Sequence, residues 1–229
     1  PEVEKRKTGQ LVNDISNSDG VLTVTRELGE KLRGEFSLNK QEIIPTGVDS
    51  NQFFFSPNLR QETRRSLGLE HNFVLCFVGG AFYSWQRIGS TARLFNLCVR
   101  HLVMKDPILL LVIRSEEQQI ARELLQRHSV DEKRVRFIQS NHKEVNSLLN
   151  AADAGVILRD FHPMHLYSFP SKVAEYLATG LPVIAFGHLP EPVKRIISDG
   201  NGVMLSNPED EELTRVELDD FNWEINRGA

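Results

Sequence analysis

Six apolar runs pace most of the chain: "FVLCFVG" (73–79), "ILLLVI" (108–113), "VRFIQ" (135–139), "AGVILR" (154–159), "PVIAFG" (182–187) and "GVMLS" (202–206). The most apolar of them lack strict in–out alternation, which is how strands buried on both faces of a parallel sheet read. Helical patterns lie between them, over roughly 86–103, 116–128, 143–151, 171–179 and 189–198. This alternation predicts an α/β doubly wound parallel sheet of about six strands. Ligands of such sheets bind outside the carboxyl ends of the strands, so the residues just after each run carry the functional information.

The first 60 residues follow another rhythm. "GQLVNDISNSDGVLTVTRELGEKLRGEF" reads as helix, short strand, helix, and "QEIIPTGVD" as a further short strand. So few elements cannot bury a core of their own. Residues 1–45 are therefore expected to be the tail of a preceding domain, 46–70 a linker with a first helix, and 71–229 the main domain. The closing "DDFNWEINRGA" starts an amphipathic helix and stops, so a fragment short of its last helix is expected.

Composition narrows the class. A formal charge of −4 argues against bulk nucleic-acid affinity, which needs a basic surface. The longest apolar runs have strand length, far below the roughly 18 residues of a membrane span. The two cysteines, Cys76 and Cys98, sit in apolar contexts that favour free buried thiols and a cytoplasmic setting. His162 and His165 are three apart, but the intervening proline and the missing carboxylate pattern argue against a metal site.

Candidate chemistry gathers at the strand ends. In "VGGAFYSWQR", Gly79 and Gly80 would let backbone approach a phosphate closely, although a tight turn explains them equally. Neither G-x-G-x-x-G nor a P-loop is present, so a dinucleotide or nucleoside triphosphate site is not supported. Arg87, Arg114 and Arg159 follow three strand ends. Singly each reads as a common surface arginine; together they suit an anion. In "SFPSKVAEYLATGLPVIAFG" (168–187), a helical wheel puts Lys172, Glu175, Tyr176 and Thr179 on one stripe, with Val173, Ala174, Leu177 and Ala178 opposite. Pro170 suits the helix start and Gly180 its C′ position. Lys172 then stands at the ligand side with the helix dipole, and Glu175 one turn deeper is placed to accept from a vicinal diol. An i, i+3 Lys–Glu pair on a solvated face accounts for the same two residues.

This segment resembles the donor-site signature of GT-B glycosyltransferases of the large retaining "group 1" (family 4-like) class. "VLTVTRELGEKL" with "IIPTGVDSNQFF" is similar to the family's last N-terminal-domain elements and linker. "FVGGAFYSWQ" resembles its glycine loop, "VRFIQSNHKEVNSLLNAADAGVIL" the stretch facing the nucleobase, and "NGVMLSNPEDEEL" the usual close. The ordered combination covers nearly the whole chain from residue 20.

The resemblance implies a Rossmann-like, C-terminal half of a GT-B fold that binds a UDP- or GDP-linked sugar donor and needs neither metal nor other cofactor. Transfer would be to a glycan or lipid-linked acceptor held by an N-terminal domain, in cell-surface polysaccharide or glycoconjugate synthesis. The setting it implies is cytoplasmic, at the inner face of the membrane, with peripheral association through the missing domain; alone, the fragment should be inactive. Glu175 takes the ribose role. The N–H groups around Ser171 and Lys172, with Gly80, cradle the diphosphate. Ser140 lies in the loop facing the base, and Arg114 and Arg159 add donor-binding charge. Arg87 and Lys172 are the catalytic candidates, stabilising the departing nucleotide. The chain departs from the common pattern at Tyr167, where a second glutamate is usual, and at Pro170, where a glycine is usual. It departs again at Gly80 and Gln86, where basic residues are usual. Alternatives for the same fold are a nucleotide-sugar epimerase, a phosphorylase or a non-catalytic nucleotide-binding or interaction module.

Overall fold

The computed structural model describes residues 10–38, 40–82, 84–100, 104–221 and 223. The expected helix end at 101–103 and the closing segment 224–229 lie outside the described residues. Within them, β1 (Val21–Thr23), α1 (Arg26–Glu35) and β2 (Gln41–Ile43) form a small unit in which β1 and β2 pair in parallel. Thr25 starts α1 by accepting from Leu28 N–H at 3.1 Å. Helix α1 lies so close to β2 that a Cβ on Gly29 would come within 2.2 Å of Gln41 Nε2. Leu22, Ile43 and Ile44 of this unit are exposed.

Helix α2 (Pro57–Leu67) is bounded by chemistry legible in its ends: Ser56 caps it, Pro57 opens it, and Gly68 closes it at φ 63°. The main sheet follows, with β3 (Val74–Val78), β4 (Ile108–Val112), β5 (Val135–Ile138), β6 (Ala154–Leu158), β7 (Val183–Phe186) and β8 (Gly202–Met204). All six strands are parallel, in the order β5-β4-β3-β6-β7-β8. The intervening helices are α3 (Ile88–Arg100), α4 (Ser115–Arg127), α5 (Val145–Ala151), α6 (Ser171–Ala178) and α7 (Glu191–Ile196), with α8 (Glu211–Asp219) after β8. No described helix is long and apolar enough to cross a membrane.

Burial on both faces explains the unbroken apolar runs. Leu75, Phe77, Leu109 and Leu111 pack with Phe95 and Cys98 of α3 and with Ala121 and Leu125 of α4. Their neighbours Val74, Cys76, Val78 and Leu110 pack on the other face with Leu149, Val173, Tyr176 and Val193 of α5, α6 and α7. Helix α2 is fixed to the main domain through ions: Arg60 and Arg64 reach Asp153 at 2.5 and 3.1 Å. Asp153 also accepts from Val74 N–H at 2.7 Å, at the amino end of β3.

The order of the strands reverses between β3 and β6, and there the sheet opens. Strands β3 and β6 pair only at Leu75↔Ala154 and Cys76↔Gly155. On their outer sides, pairing continues to Val78↔Val112 and Leu158↔Phe186. Tyr176, fully buried, fills the split. Its ring lies against Gly155, where a Cβ would be 2.5 Å from the ring, and its hydroxyl accepts from Val78 N–H at 3.2 Å.

Candidate functional site at the topological switch

Two adjoining cavities occupy the carboxyl side of the split. The larger, about 1010 Å³, runs from Gly79 and Gly80 past Arg114 and Glu117 to Ser140 and His142. The smaller, about 180 Å³, lies between the diverging strands and is walled by Phe77, Leu158, Arg159, Pro170 and Ser171. Val78, Gly79, Gln86 and Lys172 line both. All eight sequence-predicted donor residues can thus be placed on one site: seven line the cavities, and Glu175 bonds to Lys172 behind the wall.

Lys172 and Glu175 form a bidentate pair, with Nζ 2.8 Å from each carboxylate oxygen. Glu175 is 5% exposed, so this is a buried carboxylate with a partly wetted ammonium, not a pair on a solvated face. The wheel separated a polar stripe from an apolar one, but Val173, Glu175, Tyr176 and Thr179 are all buried. The reason is that the polar edge of α6 faces the split sheet, where Tyr176 and Glu175 find partners. Pro170 occupies the cap position at φ −71° and has no N–H. The first amides α6 can present to an anion are therefore those of Ser171 and Lys172. Gly180 follows the helix at φ 63°, the left-handed conformation that ends it.

The glycine loop is held from inside. A Cβ on Gly79 would come within 2.9 Å of the Phe77 ring, and one on Gly80 within 2.9 Å of Glu117 Oε2. Glu117 is 4% exposed and accepts from the backbone N–H groups of Ala81 and Phe82. These two amides are therefore engaged by a protein carboxylate. Glu117 was not singled out from sequence because a glutamate in a helix's first turn ordinarily needs no explanation beyond the dipole.

Arg114 sits at the cap position of α4, makes no side-chain cap bond, and lines the larger cavity. Ser140 lines it too, its hydroxyl donating to Asn141 O at 2.9 Å. Arg159 is among the residues lining the smaller cavity, and its Nη1 is bound beside it, 3.2 Å from Ser168 Oγ and 3.3 Å from His165 Nδ1. Burial holds its guanidinium below the ordinary arginine value, against the opposing charge of Asp160.

Arg87 also stands off the cavity walls, and its guanidinium is bound elsewhere. It has φ 49°, its guanidinium lies 5.4 Å from the Phe186 ring centre, and Nη2 binds Glu209 at 2.8 Å. Arg93 and Ser90 share the same Glu209 oxygen. Burial pushes the Glu209 carboxyl up, but hydrogen bonds from Arg93 and Ser90 and the charges of Arg93 and Arg87 outweigh it, leaving the group below its ordinary value. Tyr167, in place of the usual glutamate, has its ring 5.7 Å from Lys31 Nζ of α1.

This arrangement offers a split between parallel strands, a helix start with two free amides, and cationic groups at Lys172, Arg159 and Arg114. It suits an elongated anion whose charged part sits at the split. Among solved structures, the chain is similar to the sucrose-phosphate synthase tll1590 from Thermosynechococcus elongatus, with 21% identity over 93% of this chain and 52% of that one and a TM-score of 0.69. It is similar also to Anabaena Alr3699/HepE in complex with UDP and glucose, with 19% identity over 90% of this chain and 54% of that one and a TM-score of 0.68. The lipopolysaccharide glycosyltransferase WaaG aligns with 18% identity over 86% of this chain and 52% of that one, with a TM-score of 0.66. The chain spans about half the length of these solved structures. No curated protein sequence matches it. A family model described as "Glycosyl transferases group 1" matches residues 72–216, more than half of the chain. With a parallel sheet split at its switch point and this match across its strands, the chain belongs to the group 1 glycosyl transferases, with the GT-B architecture.

Proposed function

We propose that this chain is the donor-binding part of a glycosyltransferase and that a nucleoside diphosphate sugar lies across the switch-point cleft. The observation that carries the reading is the pair of adjoining cavities with Lys172 on their shared wall. In this reading the diphosphate rests against Gly79, Ser171, Lys172 and Arg159, and the nucleoside extends past Arg114 towards Ser140. Glu175 has two roles. It orients the Lys172 ammonium, and a carboxylate's ~four lone-pair sites leave room for a ribose hydroxyl beside the two contacts made by Lys172.

Catalysis would be electrostatic. As the bond from the sugar to the diphosphate breaks, Lys172 and Arg159 meet the charge growing on the leaving group. Arg87 joins them only if it leaves Glu209. With these cations in place we propose metal-independent transfer with retention, in the cytoplasm, to a glycan or lipid-linked acceptor of surface polysaccharide or glycoconjugate synthesis. The acceptor would be held by a preceding domain. The Anabaena structures in complex with UDP and with UDP-glucose support a uridine nucleotide as the first probe.

Calorimetric titration with UDP-glucose and GDP-mannose, each with and without EDTA, tests this reading. Saturable one-site binding, unaffected by EDTA and weakened at least about tenfold in Glu175→Ala, is expected for loss of hydrogen bonds to a charged group. Unchanged affinity in that variant would remove Glu175 from the site.

A further inference from the structure

The loop between β6 and α6 contains a relay of side chains that the donor-site reading does not use. Arg159 is the first residue after β6. Its backbone is pinned on both sides: its N–H donates to Phe186 O at 3.0 Å, and a Cβ on Gly187 would come within 2.1 Å of its carbonyl oxygen. The long side chain still needs fixing. That is done by His165 and Ser168, both at Nη1.

His165 is 8% exposed and is carried on a short 3-10 turn, with its backbone N–H on His162 O at 3.0 Å. Its Nε2 lies 2.6 Å from Asp160 Oδ1, and its Nδ1 3.3 Å from Arg159 Nη1. The partners determine the tautomer. A guanidinium has no lone pair to offer, so Nδ1 must accept and the ring proton must sit on Nε2, donating to Asp160. This geometry is that of a neutral imidazole.

We propose that His165 is a positioning residue for donor binding: its neutral ring holds the Arg159 guanidinium beside the small cavity, and protonation of the ring releases that hold. The inference rests on the cleft being a nucleotide-sugar site. A second ring proton would stand on Nδ1 and face an N–H of Arg159. The hydrogen bond is then lost, and two like charges adjoin in a poorly solvated place. The groups around the ring are Asp160 and Arg159 in direct contact and His162, whose ring centre is 6.1 Å away. From α1, packed on the same turn, comes Lys31, paired with Glu35. From the end of β7, His188 stacks edge-on with Phe161 of the loop. Asp160, with 42% of its side chain exposed, is the group left to hold the charged ring.

The test is titration with UDP-glucose and GDP-mannose between about pH 8 and about pH 5, the range in which imidazoles change charge. A nucleoside diphosphate sugar has no terminal phosphate with a second ionisation, so the probe keeps its charge. For whichever sugar binds, the wild-type affinity is expected to fall by about threefold to tenfold on acidification, the worth of one hydrogen bond. His165→Leu should be weaker by a similar factor at the alkaline end and lose the pH dependence. His165→Asn, whose amide oxygen stands where Nδ1 does, should recover alkaline affinity and keep it in acid. In an Arg159→Met background, His165→Leu should change nothing. An equal loss in that background, or an unaltered pH profile in both His165 variants, overturns the inference while leaving the donor site standing. Failure of both sugars to bind the wild type sinks the donor-site reading and the inference with it.

Discussion

Replacing Lys172 by methionine keeps the aliphatic stem and removes the charge that Glu175 binds. Removing one member of a buried pair costs about 3–5 kcal/mol, whereas exposed pairs contribute about 0–1 kcal/mol. The carboxylate side chain is 7% exposed and the lysine 28%, so the pair lies nearer the buried limit with some water at the ammonium. A loss of about 2–3 kcal/mol follows. For a chain of this size that lowers the melting temperature by roughly 5–10 °C, readable by circular dichroism. Adding Glu175→Gln removes the stranded charge and should restore more than half of the lost stability. Binding should behave differently. Lys172→Met is expected to weaken nucleotide-sugar affinity by at least about tenfold, the scale of one charge-assisted contact to a phosphate. The double variant should not regain it. If the double variant recovers binding together with stability, Lys172 is only a counter-ion for Glu175. If Lys172→Met melts like the wild type, the buried pair makes no net contribution.

Tyr176→Phe should cost about 1–3 kcal/mol in urea unfolding, because Val78 N–H loses its acceptor inside the split sheet; an unchanged midpoint would refute the hydroxyl's role. Glu209→Gln tests linkage. Its carboxyl is held below the ordinary value of 4.5 in the folded state, so the stability it confers is present above that value and lost as pH falls through the folded one. The wild type should therefore exceed the variant in stability at neutral pH, and the gap should close in acid; a gap that persists there would contradict the assignment. Cys98 is fully buried, and burial pushes its thiol up to about 12. It should resist a thiol-specific disulfide reagent in the native protein at about pH 8 and react on unfolding, since only the thiolate is nucleophilic; prompt native labelling at Cys98 would overturn this.

The sheet was legible because strands buried on both faces must be apolar at successive positions. The runs ending at Val78, Val112, Leu158 and Phe186 show that requirement directly. The start and end of α6 were equally plain, since Pro170 and Gly180 act through local backbone chemistry. Most of the cleft followed from one rule, that ligand groups stand after the strands. What sequence did not disclose depends on contacts distant in the chain. Glu117 looks like an ordinary first-turn acid until the loop 36 residues earlier folds over it. Arg87 looks like a cleft cation until Glu209, 122 residues away, binds it. His165 reads from its spacing only as a question about metal ligation, because nothing there shows that the loop turns back on Arg159. Asp153, within "AAD", has a structural task that depends equally on α2 returning to it, through Arg60 and Arg64.

The central claim is that a nucleotide-sugar donor lies across the split between β3 and β6. Amide chemical-shift mapping during titration with UDP-glucose and GDP-mannose tests it most directly. The account predicts saturable shifts concentrated at Gly79, Gly80, Ser140, Ser171 and Lys172. Shifts centred instead on the groove between α3 and α8, around Arg100 and Arg215, or no saturable shift with either sugar, would contradict it.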